Sequence, residues 1–172
     1  MNNKKALQQK YQLLVNQYHG DLFRYAFWLT GDKHIAEDIL QETFLRAWKA
    51  IDQLQEVKAA KAWLITILRR ENARRFERKQ LQLVDIDTVQ IVDESNDHED
   101  QQQHQQLRRA IMMLATEYRE PLMLQIIAGF SGDEIASLLS LNKNTVMTRL
   151  FRAKKQLTIL MNNATEEIVD DE

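Results

Sequence analysis

The stretch SGDEIASLLSLNKNTVMTRLFRAKKQL, residues 131–157, decides how the C-terminal part of the chain folds. At 100° per residue, Val146, Leu150, Ala153 and Leu157 fall in one narrow sector, which is the core face of an amphipathic helix. Thr145, Thr148, Arg149 and Arg152 share a second sector about 120° away, polar and basic with no acid in it. Before this helix, Asp133–Leu139 predicts a shorter amphipathic one, with Ser131 or Gly132 as its cap. The connection Ser140-Leu141-Asn142 has the length of a helix-turn-helix turn. Such a motif lays its second helix in the major groove. Arg149 and Arg152 then suit guanine edges, and Thr145 and Thr148 a base or phosphate. Asn144 is expected to cap that helix, with Lys143 beside it and the first-turn amides free for a phosphate. The same pattern also describes an ordinary surface on a helical hairpin. Met147 and Phe151 form a third, apolar strip that neither reading uses and that would suit contact with another protein.

Outward from this motif, helical patterning extends back to about residue 105 and on to about 161, with breaks near Gly129-Phe130-Ser131 and at 140–142. Ahead of it, residues 81–105 carry seven acids and no Lys or Arg, among six Gln and one Asn. A stretch with so little apolar surface to bury reads as a flexible acidic linker, with a docking segment at 83–92. Three more helices precede it, over about 7–29, 33–51 and 59–79, the second capped by Asp32. Leu14, Tyr18, Leu22, Tyr25 and Leu29 make the stripe of the first helix. Ile39, Leu40, Phe44, Ala47 and Ile51 make that of the second. The expected fold is all-α: two small helical domains, at 1–80 and 106–162, the latter a helix-turn-helix, joined by the linker and followed by an acidic tail at 163–172.

Composition agrees. Four Gly and one Pro in 172 residues leave little material for the turns of a β fold. The absence of Cys excludes disulfides and thiolate metal sites. The N-terminal MNNKKALQQKYQ lacks the apolar run of a signal peptide, and no stretch reaches the roughly 20 apolar residues of a membrane span, so a cytoplasmic protein is expected. The net charge of −2 conceals segregation: residues 69–79 hold six cations against two acids. Arg69, Arg70, Arg74, Arg75, Arg78 and Lys79 wrap much of the third helix, which favours phosphate contacts, the acidic linker being the alternative partner. Trp63 suits either the core or stacking on an unpaired base. On the second helix Asp38, Gln41, Glu42 and Leu45 share the face opposite the core. That face fits a solvated surface with one stray Leu, or a docking patch for a basic partner. No catalytic constellation, phosphate-binding Gly loop or cofactor motif stands out. His98 and His104 lack metal-ligand spacing.

AEDILQETFLRAWKA (36–50) with AKAWLITILRR (60–70) resembles region 2 of extracytoplasmic-function sigma factors, and LATEYREPLMLQIIAGFSGDEIASLLSLNKNTVMTRLFRAKKQL (114–157) resembles their region 4. The resemblance implies a non-catalytic subunit that binds core RNA polymerase and directs promoter recognition and opening. It implies that Asp38, Gln41, Glu42 and Leu45 dock on the β′ clamp coiled coil. It places Asp52–Lys58 and the start of the next helix, including Lys61 and Trp63, with Arg70 and Arg74 beyond, at the −10 element. Lys143, Asn144, Thr145, Thr148, Arg149 and Arg152 fall at the −35 element. It further implies the β flap and a membrane-anchored anti-sigma factor as partners, a linker threaded through polymerase, and no small-molecule substrate or cofactor. The chain departs from the family pattern at Arg70 and Arg74, where Asn and Asp are common, at Ala115 for Pro, and at Asn144 for Gly. A stand-alone helix-turn-helix regulator is the alternative, and it leaves the acidic face at 38–42 unexplained.

Overall fold

The computed structural model describes residues 2–81 and 98–169, with side chains from 3 to 79 and from 102 to 163. Its elements are α1 (Asn2–Thr30), α2 (Lys33–Lys49), two short 3-10 turns (Ile51–Gln53 and Val57–Ala59), α3 (Ala60–Leu81), α4 (His98–Met113), α5 (Thr116–Ile126), α6 (Gly132–Leu139) and α7 (Lys143–Val169). No strand occurs among the described residues. The chain divides into two compact units, Met1–Gln90 and Ile91–Glu172. The docking segment expected at 83–92 lies outside the described residues.

In the first unit α1, α2 and α3 pack on one another. The stripes expected for α1 and α2 face the core, with Tyr18 only half-buried: Leu22 and Tyr25 are fully enclosed, beside Ile39, Leu40 and Phe44, and α3 adds Leu64, Ile65 and Leu68. Burying one such aliphatic side chain stabilises by roughly 1.5–3 kcal/mol. Gly31 ends α1 with a φ of +69°, a conformation that costs glycine nothing. Asp32 then caps α2, its carboxylate accepting from Ile35 N at 3.0 Å, as expected from its position. Leu14, Ile51, Leu54 and Ala60 make a second cluster that closes the end of the unit, with Trp63 packed against it.

The second unit buries Leu122 and Leu124 of α5, Ile135 of α6, and Val146, Leu150 and Ala153 of α7, so the stripe that defined the last helix does face the core. Arg119 joins α5 to α4, its Nη1 donating to the Met112 carbonyl at 3.1 Å. It is one of few buried cations, and desolvation holds its guanidinium below the usual arginine value. Ser131 and Glu134 form a reciprocal capping box at the start of α6. Ser140 closes that helix in the left-handed region with φ 55°, the one positive-φ residue other than glycine among those described.

Four boundaries differ from expectation. Helix α1 begins at Asn2 rather than near residue 7. The helix expected from about residue 105 begins at His98. The last helix continues to Val169, past the end expected near 161. The cap of α7 is Asn142 rather than Asn144. The helix starts at Lys143, so Asn142 occupies the flanking position, and its Oδ1 accepts from Thr145 N at 2.8 Å, three residues on. Asn144 lies within the first turn, where its side chain cannot cap.

Candidate functional site

Two faces in the first unit and one in the second carry the expected residues. On α2, Asp38, Gln41 and Leu45 are exposed, Leu45 at 51% despite its apolar side chain. They border a groove of about 760 Å³ between α1 and α2, which Tyr11, His19 and Phe44 also line. His19 stacks parallel to Phe44 with ring centroids 6.0 Å apart, and the Tyr11 hydroxyl donates to the Phe44 carbonyl at 3.1 Å. Burial of that phenol raises its pKa. An exposed Leu beside an open, largely apolar groove and a carboxylate has the makings of a helix-docking surface. The sequence had isolated the face but not the groove, which depends on how α1 crosses α2.

Glu42 is placed differently from its neighbours. Its Oε1 lies 3.0 Å from Arg46 Nε, one turn along α2. Arg46 Nε is also 2.5 Å from Oε1 of Glu71 on α3. Glu71 is 8% exposed, and it accepts a further bond from Arg74 Nη1 at 2.8 Å. These residues with Arg75 and Arg78 line a cleft of about 320 Å³ between α2 and α3. Arg74 is thus tied to the buried Glu71 one turn earlier on α3, and both Arg74 and Arg70 are exposed.

At the start of α3, Lys61 Nζ donates to Asp21 Oδ2 of α1 at 2.9 Å. That bond, with a second ion pair from Arg24, holds the Asp21 carboxyl below the ordinary carboxylate value. Lys61 and Trp63 thus have structural partners and are half-buried, whereas Val57 and Lys58 just before them are exposed.

On α7, Thr148 and Arg152 are exposed, Thr145 and Arg149 are half-buried, and Lys143 and Asn144 are exposed at the helix start. Lys143 Nζ reaches Asp133 of α6 at 3.0 Å. Arg149 Nη2 lies 3.7 Å from the Glu117 carboxylate on α5. The sector that contained no acid along α7 therefore meets one from another helix. Met147 and Phe151, the third strip, are 51% and 69% exposed. No cluster of metal-ligating side chains occurs among the described residues, and no helix among them is long and apolar enough to cross a membrane.

A capped helix-turn-helix in one unit and a three-helix unit with an acidic, partly apolar face are the two parts of a bipartite transcription factor. Residues 14–82 match the family model for sigma-70 region 2, and residues 104–157 match that for sigma-70 region 4. The chain is 30% identical to the ECF RNA polymerase sigma factor SigX of Bacillus subtilis, over 96% of this chain and 91% of the relative. It is 31% identical to SigL of Mycobacterium tuberculosis, with 86% of each covered. Among solved structures it resembles the sigma factor RpoE of Bartonella quintana, determined in complex with the anti-sigma factor NepR, at a TM-score of 0.73 and 27% identity over 92% of this chain and 98% of that one. CnrH, solved with the cytosolic domain of CnrY, shares the fold at a TM-score of 0.65 and 23% identity, with 91% and 90% covered. The chain belongs to the extracytoplasmic-function RNA polymerase sigma factors.

Proposed function

We propose that this sigma factor is a non-catalytic cytoplasmic subunit that docks on core RNA polymerase through Asp38, Gln41, Glu42 and Leu45, and that reads promoter DNA with its two units. The observation that carries the docking assignment is the exposed Leu45 beside Asp38 and Gln41 on the rim of the α1–α2 groove. A basic, amphipathic helix such as one strand of the β′ clamp coiled coil meets those requirements. In the second unit Thr148 and Arg152 are the side chains most available to base edges, with Thr145 and Arg149 at their flank and Lys143 and Asn144 at the phosphates. Arg70 and Arg74 are the exposed candidates for the −10 backbone. Lys61 and Trp63, anchored as they are, act there by shaping the start of α3. Residues 1–80 and 106–162 are the two functional modules, 81–105 connects them and 163–172 is a tail. Each module binds weakly, and polymerase makes the second contact intramolecular by holding both. Met147 and Phe151 offer contacts for the β flap or for a membrane-anchored anti-sigma factor; Bartonella RpoE was solved with an anti-sigma factor, NepR.

The test is capture of core polymerase by the tagged full chain. Asp38→Ala with Glu42→Ala should abolish capture, and Arg152→Ala should leave it intact while costing roughly 1–3 kcal/mol at a −35 base. Undiminished capture by the double variant would overturn the docking assignment. A chain that binds promoter DNA equally well without polymerase would instead be a stand-alone regulator.

A further inference from the structure

Glu71 is a buried carboxylate with no place in the assignments above, yet it contacts a residue that touches one of them. Burying a carboxylate is costly unless cations accompany it, and Arg46 and Arg74 do so here. Arg46 is shared: its Nε lies within ion-pair distance of the buried Glu71 and of the half-exposed Glu42. Although enclosed, that Nε makes no well-directed hydrogen bond to either carboxylate. The guanidinium is thus held by charge rather than by a fixed bond, and its position follows the balance between the two acids. An ion pair strengthens as water is excluded around it, so Glu71 has the stronger claim.

We propose that Glu71 is a positioning residue that draws Arg46 away from Glu42 and so sets how much negative charge α2 presents to a cationic partner. The inference rests on the docking reading of Asp38 and Glu42. Without the Glu71 charge, Arg46 has only Glu42 to neutralise, and Arg74, Arg75 and Arg78 leave the cleft more positive next to the docking rim. The two helices are then linked in function: a substitution on α3, outside the docking face, changes the affinity of α2.

The experiment measures the dissociation constant of the full-length chain for core polymerase at two salt concentrations, with thermal melts as a check on folding. Glu71→Gln, which keeps the shape and removes the charge, should weaken binding about two- to fivefold at low salt, the range of a partly exposed ion pair. It should also flatten the salt dependence. Adding Arg46→Gln to Glu71→Gln should bring the affinity back to within about twofold of the wild type, since the competing cation is gone. A role confined to packing would not give that rescue. Wild-type affinity in Glu71→Gln, or a loss that persists in the double variant, overturns the proposal. If Glu71→Gln proves too unstable to assay, Arg46→Gln alone decides: it should bind at least as tightly as the wild type, and weaker binding is the refuting result. Asp38→Asn with Glu42→Gln serves as reference. Should that variant bind like the wild type, the docking reading falls and this inference with it. Should it bind weakly while Glu71→Gln does not, only the inference falls.

Discussion

Replacing Glu117 by Gln removes the charge that Arg149 meets on α5, without removing side-chain bulk. Two unit charges 3.7 Å apart attract by about 1 kcal/mol in bulk water and about 4 kcal/mol at an effective dielectric of 20. The Glu117 side chain is 53% exposed and that of Arg149 29%, so most of this attraction is screened. A net value of ~0.2–1 kcal/mol is the appropriate scale. DNA must overcome that amount to recruit Arg149 to its backbone or bases, and the Glu117 carboxylate also repels approaching phosphates. Glu117→Gln should therefore tighten binding of the polymerase-bound sigma factor to a −35 duplex by about 1.4- to 5-fold. The assay is fluorescence anisotropy of labelled promoter DNA at fixed salt, repeated in an Arg149→Ala background. There the Glu117 substitution should lose most of its effect, because its partner is absent. Weaker binding by Glu117→Gln alone would refute this reasoning, since it would mean that Glu117 presents Arg149 to DNA rather than competing for it.

Two further outcomes follow from local geometry. Asn142→Ala should destabilise the second unit by about 0.5–2 kcal/mol, read as a lower melting temperature, whereas Asn144→Ala should leave stability nearly unchanged. The Asp21 carboxyl titrates below its ordinary value in the folded chain, mainly through its bond to Lys61. Its contribution to stability is therefore complete above about pH 4, the ordinary carboxylate value, and disappears as pH falls through the lower folded value. Asp21→Asn should cost ~0.2–1 kcal/mol at neutral pH, and denaturation curves of the two chains should converge in acid.

The parts of this molecule legible in the sequence are those written within one helix. The stripe of Val146, Leu150 and Ala153, the opposite face of Asp38, Gln41 and Leu45, and the Asp32 cap all follow from a 100° rotation per residue and the chemistry of helix ends. Features that need two helices were not legible. Glu71 and Arg46 are 25 residues apart, Lys61 and Asp21 are 40 apart, and Arg149 meets an acid from α5, so no periodicity connects them. The α7 cap was misplaced by two residues because Asn142 and Asn144 are chemically alike, and only the start of the helix tells which one flanks it. Trp63 shows the same limit: its place in the stripe fitted both core and base stacking, and contact with the Leu14 cluster is set by α1.

The turn between α6 and α7 has a consequence for how such a chain changes over evolutionary time. Its angle is set by backbone, with Ser140 in the left-handed region, and by Val146, Leu150 and Ala153, which are at most 2% exposed. None of those atoms shares the face that carries Thr148 and Arg152. Substitutions on the outer face therefore disturb the frame little, and under the proposed −35 role of that face promoter preference can drift one residue at a time while the scaffold stays folded. A paralogue could acquire a new regulon without first passing through an unstable intermediate.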